Sequence, residues 1–221
     1  MQSNHWILWN VFLALIPVGL GYLLAYLAGV LTVRRKKVPW LVWTPLALAW
    51  LFFLPNTCYL LTEWRHYLFD PAFEEMRQAA GSNQILMLPV AKWGLHFLLY
   101  SGIGVLCFGL AIRPVDRLLR QAHANPIPWA IPFFFLVSLG VYMGLRIRLN
   151  SWDVLQKPGV VFSTAYWAVH DELHLKVILF FAFLLWVLYM LVDMFFDGVL
   201  LRLARWGVLH KGAKKSSRPS S

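Results

Sequence analysis

The densest group of hydrogen-bonding side chains in this chain lies in residues 144–153, which read Gly-Leu-Arg-Ile-Arg-Leu-Asn-Ser-Trp-Asp. The group closes a long apolar segment, residues 127–145, and supplies two arginines, an amide, a hydroxyl, an indole and a carboxylate. Polar side chains at membrane depth are costly and usually meet a partner or serve a function. The segment therefore predicts one wall of a polar site at a membrane surface.

A second polar stretch follows the apolar segment that ends at Pro55. Asn56 is predicted to be the N-cap of a short helix over residues 57–69, lying at the membrane interface. Five polar side chains share one face of that helix, at spacings of i, i+3, i+4, i+7 and i+11: Tyr59, Thr62, Glu63, His66 and Asp70. This face turns either toward the helix bundle or toward water, and both orientations are open.

The second arginine of the opening stretch, Arg148, is in helical register with Gly140 and Gly144. Two small residues four apart allow another helix to pack closely, so Arg148 is predicted to face the bundle. Its role is either a structural ion pair or anion binding, and the expected partner is an acid, Glu63 or Asp153. Arg146 points about 160° away by helical geometry and is expected to extend toward lipid head groups.

A pair of histidines, His170 and His174, is spaced i, i+4 and would share one helix face. With Glu63 or His66 as a third ligand they could bind a metal. They could instead be hydrogen-bonded, exposed to solvent or part of a proton relay. The spacing supplies no third ligand, so no metal site is assigned. No haem is predicted either, because His96 has no second intramembrane histidine at matching depth.

The elements that must position these groups are apolar. The chain has 221 residues, of which 60% are hydrophobic and 14% charged, whereas soluble domains are about 25% charged. Only helices satisfy the backbone of such runs in lipid. We expect an all-α integral membrane bundle of five transmembrane helices with short interfacial helices on the outer face. The predicted spans are residues 6–33, 39–54, 85–112, 127–145 and 175–201.

The charge distribution predicts the orientation. With the N-terminus outside and the C-terminus inside, 13 of the 20 lysines and arginines lie on the inner side. The basic residues fall between apolar segments, so membrane lipid is the expected partner and nucleic acid is not. Residues 1–210 are predicted to form a single transmembrane domain, and residues 211–221 a disordered basic cytoplasmic tail. Near the inner end of the last span, Asp193 and Asp197 are expected to pair with Arg202 or Arg205.

Two motifs resemble those of a family of predicted bacterial membrane proteins known as a domain of unknown function, family 1361. The first is Pro55-Asn56 followed by Tyr59, Thr62-Glu63 and His66, and the second is Gly144, Arg148 and the run from Asn150 to Asp153. The resemblance implies a multi-pass protein of the inner membrane and no particular activity. It also implies that eight residues belong to one site: Asn56, Tyr59, Glu63, His66, Arg148, Asn150, Trp152 and Asp153.

Three functional hypotheses follow. The first is a binding or transport-accessory protein that holds a lipid head group or small anion between Arg148, Asn150 and the face of Tyr59, Glu63 and His66. The second is a membrane-embedded hydrolase or transferase acting on a lipid-linked substrate. Its base would be Glu63 or Asp153, its acid–base partner His66 or His170, and Arg148 would stabilise negative charge. The third is a structural subunit that associates with another membrane subunit.

The candidate residues can be gathered by role. The candidate catalytic residues are Glu63, His66 and Asp153. The candidate binding residues are Asn56, Tyr59, Thr62, Arg146, Arg148, Asn150, Ser151, Trp152, His170 and His174. Neither a metal nor a cofactor is predicted.

Overall fold

The computed structural model describes residues 4–33, 40–122 and 126–206, and no strand occurs within these ranges. Residues 34–37, four basic residues that count toward the inner side in the predicted orientation, and the predicted tail at 211–221 lie outside the described residues. A short 3-10 helix spans Gln84–Leu86. The helices are, in chain order, α1 (Asn4–Val33), α2 (Trp40–Phe53), α3 (Pro55–Thr62), α4 (Trp64–Phe69), α5 (Pro71–Ser82), α6 (Met87–Gln121), α7 (Pro126–Ile147), α8 (Asp153–Gln156), α9 (Pro158–His170) and α10 (Glu172–Arg205).

Within the described residues, five stretches are long and apolar enough to cross a membrane, which confirms the predicted number of spans. They are Ile7–Leu31, Leu41–Phe69, Gln84–Gln121, Pro128–Ile147 and Glu172–Arg205. A bilayer core needs about 20 helical residues, so the third and fifth stretches, of 38 and 34 residues, extend past the apolar segments read from the sequence. They do so because polar and charged residues at their ends continue the same helix.

The second span differs from its prediction. Instead of one interfacial helix over residues 57–69, α2 continues through a break at Leu54 into α3 and then α4. Pro55 occupies the first turn of α3 and Leu54 is its N-cap, so Asn56 lies inside the helix and is not the cap. Most of α3 is buried against α1, α6 and α7. Asn56 and Thr57 are buried there and Tyr59 packs against α7, so these three polar side chains face the bundle.

The core lies where α1, α2, α6, α7 and α10 meet. Phe108 and Leu24 are fully enclosed there, and Phe134 and Leu185 pack against the same cluster. Trp50 is buried with its indole N–H donating to the backbone carbonyl of Ala111 at 2.9 Å. A buried indole needs such a partner, so this bond fixes how α2 lies against α6.

The short helices α5, α8 and α9 lie at one end of the bundle, next to the beginning of α6, the end of α7 and the beginning of α10. We call this end the loop face. The opposite end, where α6 finishes and α7 begins, is the turn face. The charge distribution predicts that the loop face is outside, and this orientation stays a prediction. Both polar motifs of the sequence belong to the loop face.

Candidate functional site

A hydrogen bond joins the two motifs. The side-chain amide of Asn56 donates to the hydroxyl oxygen of Ser151 at 2.9 Å, across 95 residues of sequence. The same amide nitrogen donates to the carbonyl of Phe53 at 3.0 Å, near the end of α2. Asn56 is only 5% exposed, so its orientation is fixed by burial as well as by these bonds. This bond brings one residue of each motif together.

Tyr59 makes the second contact between α3 and α7. Its ring lies directly over Gly144, where a Cβ atom would collide with the phenol oxygen and two ring carbons. One turn earlier, a Cβ on Gly140 would lie 2.7 Å from Pro55 Cγ. The two glycines thus allow close helix packing, as their spacing predicted. We call the contacts of Asn56 and Tyr59 with Ser151, Gly140 and Gly144 the α3–α7 clasp.

Arg148 does not take the place predicted for it. Helix α7 ends at Ile147, and Arg148 has a left-handed backbone with φ of 56°. The side chain is exposed and forms no ion pair with Glu63 or Asp153. The prediction that it faces the bundle is wrong because the helical register on which it depended stops one residue earlier.

Asp153 instead holds the loop after α7 in shape. Its carboxylate accepts a hydrogen bond from the backbone N–H of Asn150 at 2.7 Å and approaches the Asn150 amide at 3.5 Å. The residue is 6% exposed and begins the short helix α8. Trp152, partly buried, is the N-cap of that helix. The carboxylate is thus engaged within the loop, and the loop presents Ser151 to Asn56.

The remaining residues of the first motif lie along the end of the second span. Thr62 donates to the carbonyl of Tyr59 at 2.9 Å, a bond within its own helix. Glu63 follows α3 and lies within electrostatic range of Tyr100, a buried residue of α6. His66 belongs to α4, and its side chain is outside the described part of the structure. The sequence did not predict Tyr100 as a neighbour of Glu63, because a lone tyrosine in an apolar run carries no spacing signal.

The two histidines at 170 and 174 lie on different helices. Helix α9 ends at His170, Asp171 has an extended backbone, and α10 begins at Glu172. His170 is stacked on Tyr166 and its Nδ1 lies 2.8 Å from the Tyr166 carbonyl. The predicted shared helix face is therefore wrong. Among the described residues, no group of three or more His, Cys, Asp or Glu side chains could hold a metal ion.

Asp171 is the reason for this break. Its carboxylate accepts the backbone N–H of His174 at 2.9 Å and so caps α10. It also lies 3.0 Å from His174 Nδ1. The backbone hydrogen bond from His174 lowers the pKa of Asp171 from its ordinary value. An aspartate that caps a helix N-terminus stays ionised, since both the N–H group and the helix dipole favour its charge.

A cavity of about 440 Å³ opens at the loop face between α7, α9 and the first turn of α10. Arg146 lies at its edge, in the last turn of α7, and forms no hydrogen bond or ion pair with any described residue. The other lining residues are polar or amphipathic for the most part: Tyr142, Ile147, Ser163, Thr164, Trp167, Ala168, Asp171 and His174. We call this cavity the loop-face pocket. It brings together two of the predicted binding residues, Arg146 and His174.

The turn face carries an ion-pair network with partners other than those predicted. Arg113 of α6, 6% exposed, pairs with Asp193 at 3.2 Å and also with Asp197. Arg117 lies 3.4 Å from Asp197. The two aspartates of α10 thus pair with α6 and not with Arg202 or Arg205, because α6 and α10 run side by side at this depth. A buried arginine requires such neutralisation.

Comparison with known proteins gives a family and no activity. No curated protein sequence and no solved structure matches the chain. A family described as protein of unknown function (DUF1361) matches residues 9–188, a range that contains the α3–α7 clasp, all five candidate spans in whole or in part, and the loop-face pocket. The chain is a multi-pass membrane protein and belongs to the DUF1361 family.

Proposed function

We propose that this protein binds an oxyanion at the loop face, with the loop-face pocket as the site and the bacterial inner membrane as its location. The chemistry is that of a phosphate or carboxylate, carried either by a lipid head group or by a small free anion. The observation that carries the proposal is the cavity that Arg146 borders without a hydrogen-bond or ion-pair partner among the described residues. An arginine in this position has all five N–H donors available to an anion.

The other lining residues suit the same ligand. The Thr164 hydroxyl, the Trp167 indole N–H and His174 can each donate a hydrogen bond. Asp171 is the acid among the lining residues, and its charge is already engaged by His174 and the first turn of α10. Arg146 is the guanidinium among the lining residues, and its charge is not paired with Asp171. An anion in the pocket would therefore meet a cation whose charge is not already taken up by the carboxylate.

The position of the pocket supports a ligand that reaches from the membrane. It lies where two spans, α7 and α10, meet the loop face, and Tyr142 and Trp167 border it. Aromatic side chains with a polar tip favour the depth of lipid head groups. The predicted placement of the site between Arg148, Asn150 and the face of Tyr59 has less support. Arg148 is exposed outside the pocket, and Tyr59 is packed on Gly144.

The enzyme hypothesis also has less support than binding. Asp153 holds the turn at Asn150, and His170 is bonded to its own helix at Tyr166. Neither group is presented to a cavity that also contains Arg146. A structural role suits the α3–α7 clasp better than it suits the loop-face pocket, because the clasp is closely packed and the pocket is open.

The test compares two neighbouring arginines in the full-length protein. Binding of inorganic phosphate is measured by titration in a neutral detergent, and binding of phosphatidylglycerol by native mass spectrometry after transfer from mixed vesicles. We expect Arg146→Gln to weaken binding at least fivefold in one of these assays, which identifies the source of the anion. Arg148→Gln is the matched control, since it removes an exposed arginine two residues away. Equal losses in both variants, or none in either, would refute the proposal.

A further inference from the structure

A second cavity, at the turn face, differs in character from the loop-face pocket. It has a volume of about 670 Å³ and lies between α2, α6, α7 and α10. Its lining is almost entirely apolar and includes the tryptophans Trp50, Trp129 and Trp186 together with Phe133 and Phe134. The cavity exists because α6 and α7 touch each other little, while α10 packs on both. It therefore opens sideways, within the depth of the candidate spans.

The polar groups of this cavity are gathered at one end. Asp116 accepts a hydrogen bond from the Tyr189 hydroxyl at 2.7 Å, and its same oxygen lies 3.0 Å from both Nε and Nη2 of Arg120. The Asp116 carboxylate is thus already neutralised. Arg120 is half-exposed, and its Nη1 has no hydrogen-bond partner among the described residues. The guanidinium is held at the rim of the cavity with one side available to an anion.

We infer that this cavity binds one acyl chain of an anionic membrane phospholipid, with the lipid phosphate against Arg120. The volume falls within the range of about 300–1,000 Å³ of known ligand sites. A helix about 10 Å across occupies about 420 Å³ per turn, so the cavity would hold under two turns of a partner helix. A thin, flexible hydrocarbon chain fits this space, whereas a transmembrane helix does not.

The charge of the turn face favours an anionic lipid over a neutral one. The described residues there include five arginines, at positions 113, 117, 120, 202 and 205, against three acids, Asp116, Asp193 and Asp197. This leaves a net charge of +2, and basic residues near a membrane surface attract anionic lipid. The surface beside the cavity is also apolar and exposed, since Ile131 of α7 lies outside the cavity and is 74% exposed. The acyl chain is thus the apolar molecule most abundant at the opening.

The test uses the full chain in lipid vesicles that contain phosphatidylglycerol with a photoreactive group in mid-chain. Cross-linked peptides are mapped by mass spectrometry, with and without excess unlabelled phosphatidylglycerol. We expect saturable labelling on residues 130–136 and 186–190. Exposed parts of α1 should also be labelled, but excess unlabelled lipid should not reduce that labelling. A phosphatidylcholine probe should label the cavity at least fivefold less. Equal labelling by the two lipids, or no saturable labelling, would overturn the inference.

Two pairs of variants sharpen the test. Ala130→Trp fills the cavity, and Ile131→Trp adds the same side chain on the exposed side of α7. We expect at least fivefold loss of cavity labelling only in the first. Arg120→Gln should remove the preference for phosphatidylglycerol, while Arg117→Gln, which alters an arginine outside the cavity, should keep it. The inference would be overturned if, in either pair, the two variants gave the same result. These outcomes do not depend on Arg146, so they are separable from the proposed function.

Discussion

The close approach of α7 to α3 makes Gly144→Ala the most informative single change. The new Cβ would overlap the phenol oxygen of Tyr59 and two of its ring carbons. Adding a methyl group to a closely packed site costs about 1–3 kcal/mol, while alanine in a helix interior gains about 1 kcal/mol over glycine. We therefore expect a net loss of about 0–2 kcal/mol in the free energy of unfolding.

A control variant, Gly102→Ala, cancels the gain in helix propensity that alanine has over glycine. Gly102 is inside α6, and a Cβ built there meets nothing within 4 Å. Gly102→Ala should stabilise the protein by up to about 1 kcal/mol. The difference between the two variants is then the overlap alone, about 1–3 kcal/mol. At about 2–4 °C per kcal/mol for a chain of this size, the melting temperatures should differ by about 2–12 °C in detergent.

A second substitution identifies Tyr59 as the cause. In a Tyr59→Leu background the phenol oxygen and ring carbons are gone, so Gly144→Ala should behave like Gly102→Ala. The coupling between positions 59 and 144 is measured as a double-mutant cycle. If Gly144→Ala is as harmless as Gly102→Ala in the wild-type background, α7 does not contact α3 as described.

Three further changes test other contacts. Asn56→Ala should lower the free energy of unfolding by about 1 kcal/mol, and a double-mutant cycle with Ser151→Ala should show the coupling; additive effects would contradict the hydrogen bond. Arg113→Met should destabilise by about 3 kcal/mol, at the low end for a broken buried pair, because Asp197 is half-exposed; a neutral effect on thermal unfolding would contradict the network. Asp171→Asn keeps the cap but removes its charge. Since the folded pKa of Asp171 is lowered, the stabilisation by its charge is present above about pH 4 and lost as the pH falls through the folded value. Wild type and variant should therefore differ in melting temperature at pH 6, and the difference should shrink as the pH falls below about 4; a difference independent of pH would contradict this assignment.

The number of spans was predictable because it depends on length and hydrophobicity alone. The course of the second span was not. A break at Leu54 followed by Pro55 could end a helix or only interrupt one. The sequence favoured an end because polar residues follow. Burial by α1, α6 and α7 decided for an interruption, since these helices cover α3 and Ser151 accepts a hydrogen bond from Asn56. That decision is made by helices distant in sequence.

Within the candidate site, local spacing predicted close packing but not hydrogen-bond partners. Gly140 and Gly144 lie on one helix, so their spacing predicted close packing without knowledge of the rest of the fold. The structure confirms this close packing. The bond from Asn56 to Ser151 depends on how α3, α7 and the following loop are placed together. Only the resemblance to a family grouped Asn56 with the second motif, and it did not give the contact with Ser151.

The histidine pair shows a signal that the sequence did contain. Asp171 followed at once by Glu172 is typical of a helix start, with an N-cap and an acid in the first turn. A helix start at this point places His170 and His174 on different helices, so they share no helix face. It also places His174 in the first turn of α10, beside the end of α7. This is where the loop-face pocket forms.

The end of α7 at Ile147 explains why Arg146 replaces Arg148 as the leading binding residue. An α-helix turns by about 100° per residue, so a helix that ends one residue early leaves the next side chain without a defined direction. Arg146 is still helical, and α7 fixes its position next to α9 and α10. Arg148 takes its direction from a left-handed backbone and points to solvent. Of the two arginines, Arg146 is the one that lines a cavity, and its helical backbone fixes where its side chain begins.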